Sequence, residues 1–472
     1  MPVAVSILMQ YGDSDSCVDS GSGDAVDHPI VTKLQTRIPT KTGVGLGTAG
    51  EGATAQAILF QLGKYAIPNP SVSCWFFADV DYPQRSKSSE LRSVWPLEKG
   101  ELMDRRDFLK TSLSAIGASA CASLFAPLAG ASVAPKRILV LGGTLFLGPA
   151  LVETLVAYGH TVTLFNRGVT NPELFPRLEK LHGFRSPDAN DQDLSSLAHR
   201  RFDVIVDVWP NDPDVVRSAA QFLKDKAHHY VFVSSIGAYD SREFAKANIT
   251  EDKPLEPWNS SGRPYNRNKA ESERRLHEII GQNLTIVRPG PIKGHRDDTP
   301  DLLTWLLRLR EGGEHIAPGD GDDPVELVDV KDVARFLALA IDGSLYGTFN
   351  LTGKSMTFRQ FLEACRSATR SDATLTWIPR DFLHEQGLET DSVLHTFAGN
   401  FPFWRPDPSS QGLYRVSSEK AFRAGWRTRP FEETAFDCLD DFHSLHLMDR
   451  SNFLSDAKET EVLERWAAHH RS

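Results

Sequence analysis

Residues 136–168 read KRILVLGGTLFLGPALVETLVAYGHTVTLFNRG, and the order of elements in this stretch decides the fold. Ile138 to Leu141 is an unbroken apolar run that stops at Gly142-Gly143. A strand buried on both faces of a parallel sheet has this composition, because helices cover both sides of such a sheet. From about Pro149 to Tyr158 the apolar residues recur at helical spacing, and Thr161 to Phe165 reads as a second strand. Strand, glycine turn, helix and strand make a βαβ unit, in which the free N–H groups at the start of the helix favour a phosphate or diphosphate above the turn. Gly142 and Gly143 allow the tight turn, and Gly148 lets the helix approach the strand. The fold class that follows is α/β, a doubly wound parallel sheet of Rossmann type, to which the family resemblance given below adds a smaller carboxy-terminal lobe.

The rest of the chain continues in the same alternation. Asp203 to Val208 (DVIVDV) and His229 to Val233 read as the fourth and fifth strands. A helical run from Tyr265 to Ile280 leads to another apolar strand, Leu284 to Val287, which ends at Arg288-Pro289-Gly290. Residues 291–324 are rich in loop residues, with His295, Asp297, Asp298 and Thr299 clustered before a helix containing Trp305 and Arg308. Val325 to Ala334, Gly347 to Gly353 and a helix from Thr357 to Ala368 follow.

One pair of residues carries a definite chemistry. Tyr265 and Lys269 lie four apart in a helical run, so their side chains share a face. An ammonium beside a phenol favours the phenolate, so Lys269 is expected to draw the Tyr265 pKa down from ~10. Such a tyrosine acts as general acid or base towards an alcohol or carbonyl. A Tyr–Lys pair at this spacing often arises by chance, but of the nine tyrosines only Tyr265 has a lysine four residues on.

Three motifs together, GGTLFLG (142–148), VFVSSIGAY (231–239) and YNRNK (265–269), resemble the extended short-chain dehydrogenases/reductases of the NAD-dependent epimerase/dehydratase family. The resemblance covers residues 136–440 and implies a Rossmann-type nucleotide-binding domain at 135–290, interlocked with a substrate-binding lobe at 291–472. It implies that Ser235, four residues before Tyr239, holds the substrate oxygen, that Tyr265 moves the proton, and that Lys269 tunes Tyr265 and reaches the cofactor ribose. It places cofactor contacts at Gly142, Gly143 and Gly148, with Thr144, Phe146 and Leu147 completing the turn. Asn166 and Arg167 stand at the end of the second strand and Pro289 beside the nicotinamide. Leu145 departs from the pattern, since the family has glycine where the diphosphate nears the backbone. The end of the second strand offers Arg167 and no carboxylate, which leans towards NADP over NAD.

The function implied is that of an NAD(P)-dependent epimerase or reductase acting on a carbonyl or alcohol, sugar-type substrates included, with no substrate identity read from the family name. Sugar-nucleotide dehydratases carry an acidic pair beside the catalytic serine. Here Ile236-Gly237-Ala238 stands there, which disfavours dehydration. A second reading is a non-catalytic relative that senses a dinucleotide or binds RNA, because chloroplast stem-loop RNA-binding proteins share the GGT-x-F-x-G opening. A formal charge of −10 speaks against nucleic acid as a partner. The expected partner is a small-molecule substrate, and a homodimer is compatible with this reading.

The amino-terminal part is of another kind. Residues 103–110, MDRRDFLK, resemble the start of a bacterial twin-arginine export signal, and residues 111–134 are uncharged and rich in Ala, Leu, Ser and Gly. Ala129-Gly130-Ala131 and Ser132-Val133-Ala134 both suit a small-residue cleavage site. The expectation is a periplasmic protein delivered by the twin-arginine machinery, with an uncleaved inner-membrane anchor as the lesser alternative. Residues 1–102 show no sustained period and are expected to be a non-native or disordered extension, with translation starting at Met103. The G-x-G-x-x-G at Gly45–Gly50 follows a poor strand and is read as a decoy. Of five cysteines, Cys365 and Cys438 fall in the mature part, without a C-x-x-C or a histidine cluster. Two buried thiols are expected there and no metal.

Overall fold

Seven strands, all parallel, form the central sheet of the computed structural model. The structure describes residues 134–471, apart from 189, 191, 209–210, 298, 300, 389–399 and 443–453. The expectations for the extension, the decoy and the export signal therefore lie outside the described residues.

In chain order the strands are β1 (Arg137–Leu141), β2 (Thr161–Asn166), β3 (Glu179–His182), β4 (Val204–Asp207), β5 (His229–Val233), β6 (Leu284–Pro289) and β7 (Gly347–Leu351). They lie side by side as β7-β6-β5-β4-β1-β2-β3. The order reverses between β1 and β4, which opens a crevice at the carboxyl ends of the strands, the usual ligand position in such sheets.

The apolar run at the start of β1 is explained by the two layers around it. Ile138 and Val140 face one core, which contains Leu151 and Leu155 of α1 (Leu147–Ala157). Leu139 and Leu141 face the opposite core, with Val216 and Leu223 of α2 (Pro213–Leu223) and Leu276 of α3 (Pro264–Ile280). Alternation along a strand thus sends apolar side chains to both faces. In the carboxy-terminal lobe α4 (Asp301–Arg310) precedes α5 (Val330–Asp342), which returns to pack beside α1. The core of that lobe joins Trp305 of α4 to Phe361 and Cys365 of α6 (Phe358–Thr369). Thr357 and Gln360 cap α6 reciprocally, which fixes where it begins. Cys365 and Cys438 are both buried, free thiols, and burial raises the pKa of each.

Two boundaries differ from the sequence reading. Helix α1 begins at Leu147, two residues before the expected Pro149; proline is tolerated in the first turn because its missing N–H has no partner there. Strand β6 runs through Arg288 and Pro289 instead of ending at Val287, pairing them with Asn350 and Leu351 of β7. A charged residue reads as a strand end, but Arg288 finds a buried partner in the fold. The stretch expected as loop also contains a short strand, Glu314–Pro318, which pairs in parallel with Thr374–Ile378 further along the chain.

Candidate active site

A cleft of about 1830 Å³ runs along the carboxyl ends of the strands. Its floor at one end is the turn after β1. Gly142 and Gly143 have φ of 110° and 95°, values that side chains rarely adopt. A Cβ on Gly148 would lie 2.6 Å from the Gly143 carbonyl carbon, so α1 sits as close to the turn as backbone allows. The first turn of α1 has no side-chain cap and no acidic residue. By contrast, Asp212 caps α2 with hydrogen bonds from Asp214 and Val215. An uncapped helix start that opens on a cleft fits a diphosphate.

The other residues of the turn hold its shape. Phe146 has φ of 45°, a strained value for a large side chain, and its ring packs against the core. Thr144 and Leu147 are buried at the cleft wall, and the Thr144 carbonyl accepts a hydrogen bond of 2.8 Å from Asn171. The amide of Asn166 donates to the Gly142 carbonyl at 3.2 Å and accepts from the Gly168 N–H at 2.9 Å. Asn166 thus fastens the end of β2 to the glycine turn, while the neighbouring Arg167 lines the cleft with its side chain exposed.

Leu145 stands 54% exposed on the cleft lining. If it crowds a diphosphate, Leu145→Gly tightens nicotinamide binding, although added backbone freedom costs some stability. Titrating cofactor fluorescence against both proteins measures this. Weaker binding by the glycine variant would mean that the turn is built around leucine.

The three residues expected to carry the chemistry meet on the wall facing this turn. Ser235, extended just beyond β5, accepts a hydrogen bond from the Gly237 N–H at 3.0 Å, and its side chain and the Tyr265 ring both lie against Gly237. A Cβ on Gly237 would lie 2.9 Å from Asn266 Oδ1 and 3.4 Å from Tyr265 Cε1, so glycine lets α3 come this near. Lys269, one turn along α3, is buried; its ammonium donates to the Val233 carbonyl at 3.0 Å and lies 5.9 Å from the Tyr265 ring centroid. Pro289 closes the wall from β6.

One expectation is corrected. The Tyr265 pKa is raised, because the cleft walls around this 41% exposed residue desolvate the phenol and penalise the phenolate more than Ser235 favours it. The ammonium of Lys269 is engaged by the Val233 carbonyl, and burial lowers its own pKa to about 8. Tyr265 therefore stands in this cleft as a proton donor.

Residues that were not singled out from the sequence surround this wall. Arg185 holds Asp207, at the end of β4, through two contacts of 2.9 Å. Glu273, one turn beyond Lys269, is buried against Arg288 and Ser234. Asp297 and Thr299 of the acidic loop do reach the cleft, where both meet the buried Lys293 at 3.2 and 2.6 Å. His295 turns instead to Asp441 at 2.9 Å. Asp298 lies outside the described residues. Tyr239 is wholly buried and donates to Asn350 Oδ1 at 2.8 Å, which leaves Tyr265 as the cleft tyrosine beside Ser235.

The sheet order, the glycine turn and the crevice define a Rossmann-like fold. Residues 138–351, from β1 through β7, match the model of the NAD dependent epimerase/dehydratase family. The chain is 31% identical over 255 residues to the chloroplast stem-loop binding protein of 41 kDa b from Arabidopsis thaliana. That alignment covers 49% of this chain and 63% of the Arabidopsis protein, less than two thirds of its length. It is 25% identical over 250 residues to a decarboxylating sterol-4-alpha-carboxylate 3-dehydrogenase from Dictyostelium discoideum, across 48% of this chain and 74% of that protein. The structure of UDP-glucose 4-epimerase from Thermotoga maritima with UDP-glucose aligns with a TM-score of 0.47 and 19% identity, covering 65% of this chain and 99% of that one. The Bordetella bronchiseptica enzyme WbmG, solved with NAD, aligns with a TM-score of 0.47 and 17% identity, covering 68% of this chain and all of that one.

Proposed function

We propose that the protein is a nicotinamide-dependent epimerase or reductase acting on an alcohol or carbonyl. The observation that carries this reading is the convergence of Ser235 and Tyr265 beside Gly237 on the cleft wall, with Lys269 one turn away, facing an uncapped helix start across the cleft. The turn residues Gly142, Gly143 and Gly148 would hold the diphosphate, and Lys269 the ribose. The bound nicotinamide would supply the hydride acceptor or donor. Ser235 fixes the substrate oxygen, and Tyr265 gives that oxygen a proton on reduction and takes one on oxidation. No carboxylate stands in Ile236-Gly237-Ala238 beside Ser235, so elimination of water is not part of the proposal. Arg167, exposed on the lining, supports NADP over NAD as the occupant.

The Arabidopsis relative favours a second reading, a stem-loop RNA-binding protein. The formal charge of −10 and the convergence of Ser235, Tyr265 and Lys269 weigh against it. Purified protein is expected to show nicotinamide fluorescence or to acquire it with NADPH more readily than with NADH, and to turn over members of a carbonyl panel. Tight RNA binding at physiological salt with no nicotinamide uptake would overturn the enzyme reading.

We also propose export through the twin-arginine route, supported by the MDRRDFLK stretch at 103–110. Expressed from Met103, the protein is expected in the periplasm, and Arg105→Lys with Arg106→Lys is expected to retain it in the cytoplasm. Unchanged export of the double variant would remove the assignment. A folded protein carried by that route arrives with its cofactor already loaded.

A further inference from the structure

We infer that Glu273 is a positioning residue for the proton-transfer pair, fastening the helix that carries Tyr265 and Lys269 to the strand ends that carry Ser235 and Pro289. The inference rests on the enzyme reading above. Tyr265, Lys269 and Glu273 follow one another at intervals of four along α3, so all three face the sheet. Glu273 is fully buried, and its carboxylate meets Arg288 of β6 at 3.0 Å through Nε and at 2.6 Å through Nη2. The hydroxyl of Ser234, the neighbour of Ser235 on β5, donates to the same carboxylate. The Ser234 N–H in turn donates to the Val287 carbonyl at 2.7 Å, closing the ring between the two strand ends. Beyond it the Arg288 guanidinium lies 4.6 Å over the Tyr239 ring.

A buried ion pair is a weak source of stability, because desolvation offsets most of its attraction and a packed apolar pair often does as well. What a bidentate arginine–carboxylate pair does provide is a fixed direction and distance. Here those define how far the Tyr265 face of α3 stands from Ser235. Glu273 also places a negative charge one helical turn from the Lys269 ammonium. The other groups around that ammonium are Tyr265 on α3, Asp207 of β4 with its partner Arg185, Tyr230 of β5, and Arg288 behind Glu273. Asp207 favours the ammonium more than Glu273 does, and Arg185 opposes it least, so Glu273 is the second of two carboxylates that hold the charge on Lys269.

Two variants test this. Glu273→Gln removes the charge and leaves Arg288 buried with a neutral partner, which endangers folding. Glu273→Gln with Arg288→Met removes both charges together and is the variant expected to fold. Thermal melting is recorded first. The titration midpoint of Lys269 is then read directly by competitive acetylation across pH with mass spectrometry, which requires no substrate. The expected result is a midpoint lower by ~1 pH unit in Glu273→Gln where it folds, and a smaller shift in the double variant, in which loss of the Arg288 charge offsets loss of the Glu273 charge. Turnover should fall about tenfold or more from lost alignment, with the cofactor dissociation constant within about twofold of wild type. The alkaline limb of the turnover profile should move down with the lysine midpoint, which a merely structural role would not cause. Folded variants with a wild-type Lys269 midpoint and wild-type turnover would overturn the inference. Absence of turnover in the wild type itself would instead defeat the enzyme reading, and the midpoint would still decide whether Glu273 sets the state of Lys269.

Discussion

Tyr265→Phe is expected to lower turnover by ~10²–10⁴-fold while leaving the fold and nicotinamide binding nearly intact. The variant keeps the aromatic ring that lies against Gly237 and deletes one hydroxyl, whose neighbour in the protein is Ser235. Because Tyr265 opens on the cleft and is 41% exposed, water can take the place of the lost hydroxyl, so little stability is at stake. The raised pKa of Tyr265 keeps the phenol in its proton-donating form, and because the same hydroxyl serves both directions, reduction and oxidation should fall together. Single-turnover kinetics with prebound cofactor separate the chemical step from binding. Near-normal single-turnover rates on a verified substrate would show that the Ser235–Tyr265–Lys269 mechanism is wrong.

Lys269→Met is expected to reduce turnover comparably and, unlike Tyr265→Phe, to weaken nicotinamide binding. Methionine fills the apolar channel along Phe232, over which the lysine ammonium lies at 5.2 Å. It cannot donate to the Val233 carbonyl, which is left without that bond. The pH profile distinguishes the roles. With its pKa lowered to about 8, Lys269 is charged below that pH and loses its charge above it, so wild-type activity should fall as pH rises through about 8. In Lys269→Met that limb should disappear, because the titrating group is gone. A variant that retains the alkaline limb would assign it to another group and would leave Lys269 with a packing role.

The βαβ unit at residues 136–168 was legible because its signals are local. The apolar run, the glycine pair and the helical period each lie within a few residues, and β5 was placed from His229 to Val233 to the residue. The candidate triad was legible in part: Tyr265 and Lys269 announce themselves by spacing on one helix, whereas Ser235 was placed through family resemblance. The same spacing would have pointed to Glu273, the next residue in the series, but a glutamate on a helix ordinarily faces water.

What the amino-acid order determined by itself was the alternation of strands and helices, the glycine turn, and the one tyrosine with a lysine on its face. Only the tertiary structure decided that the Ser235 and Tyr265 side chains, thirty positions apart in number, meet beside Gly237 on one wall of the cleft. It alone decided that Arg288 extends a strand by pairing with Glu273, and that burial raises the Tyr265 pKa where the neighbouring lysine was expected to lower it. The reason is physical: periodicity and turn chemistry act between near neighbours, whereas desolvation and ion pairing depend on which distant residues exclude water from a charge.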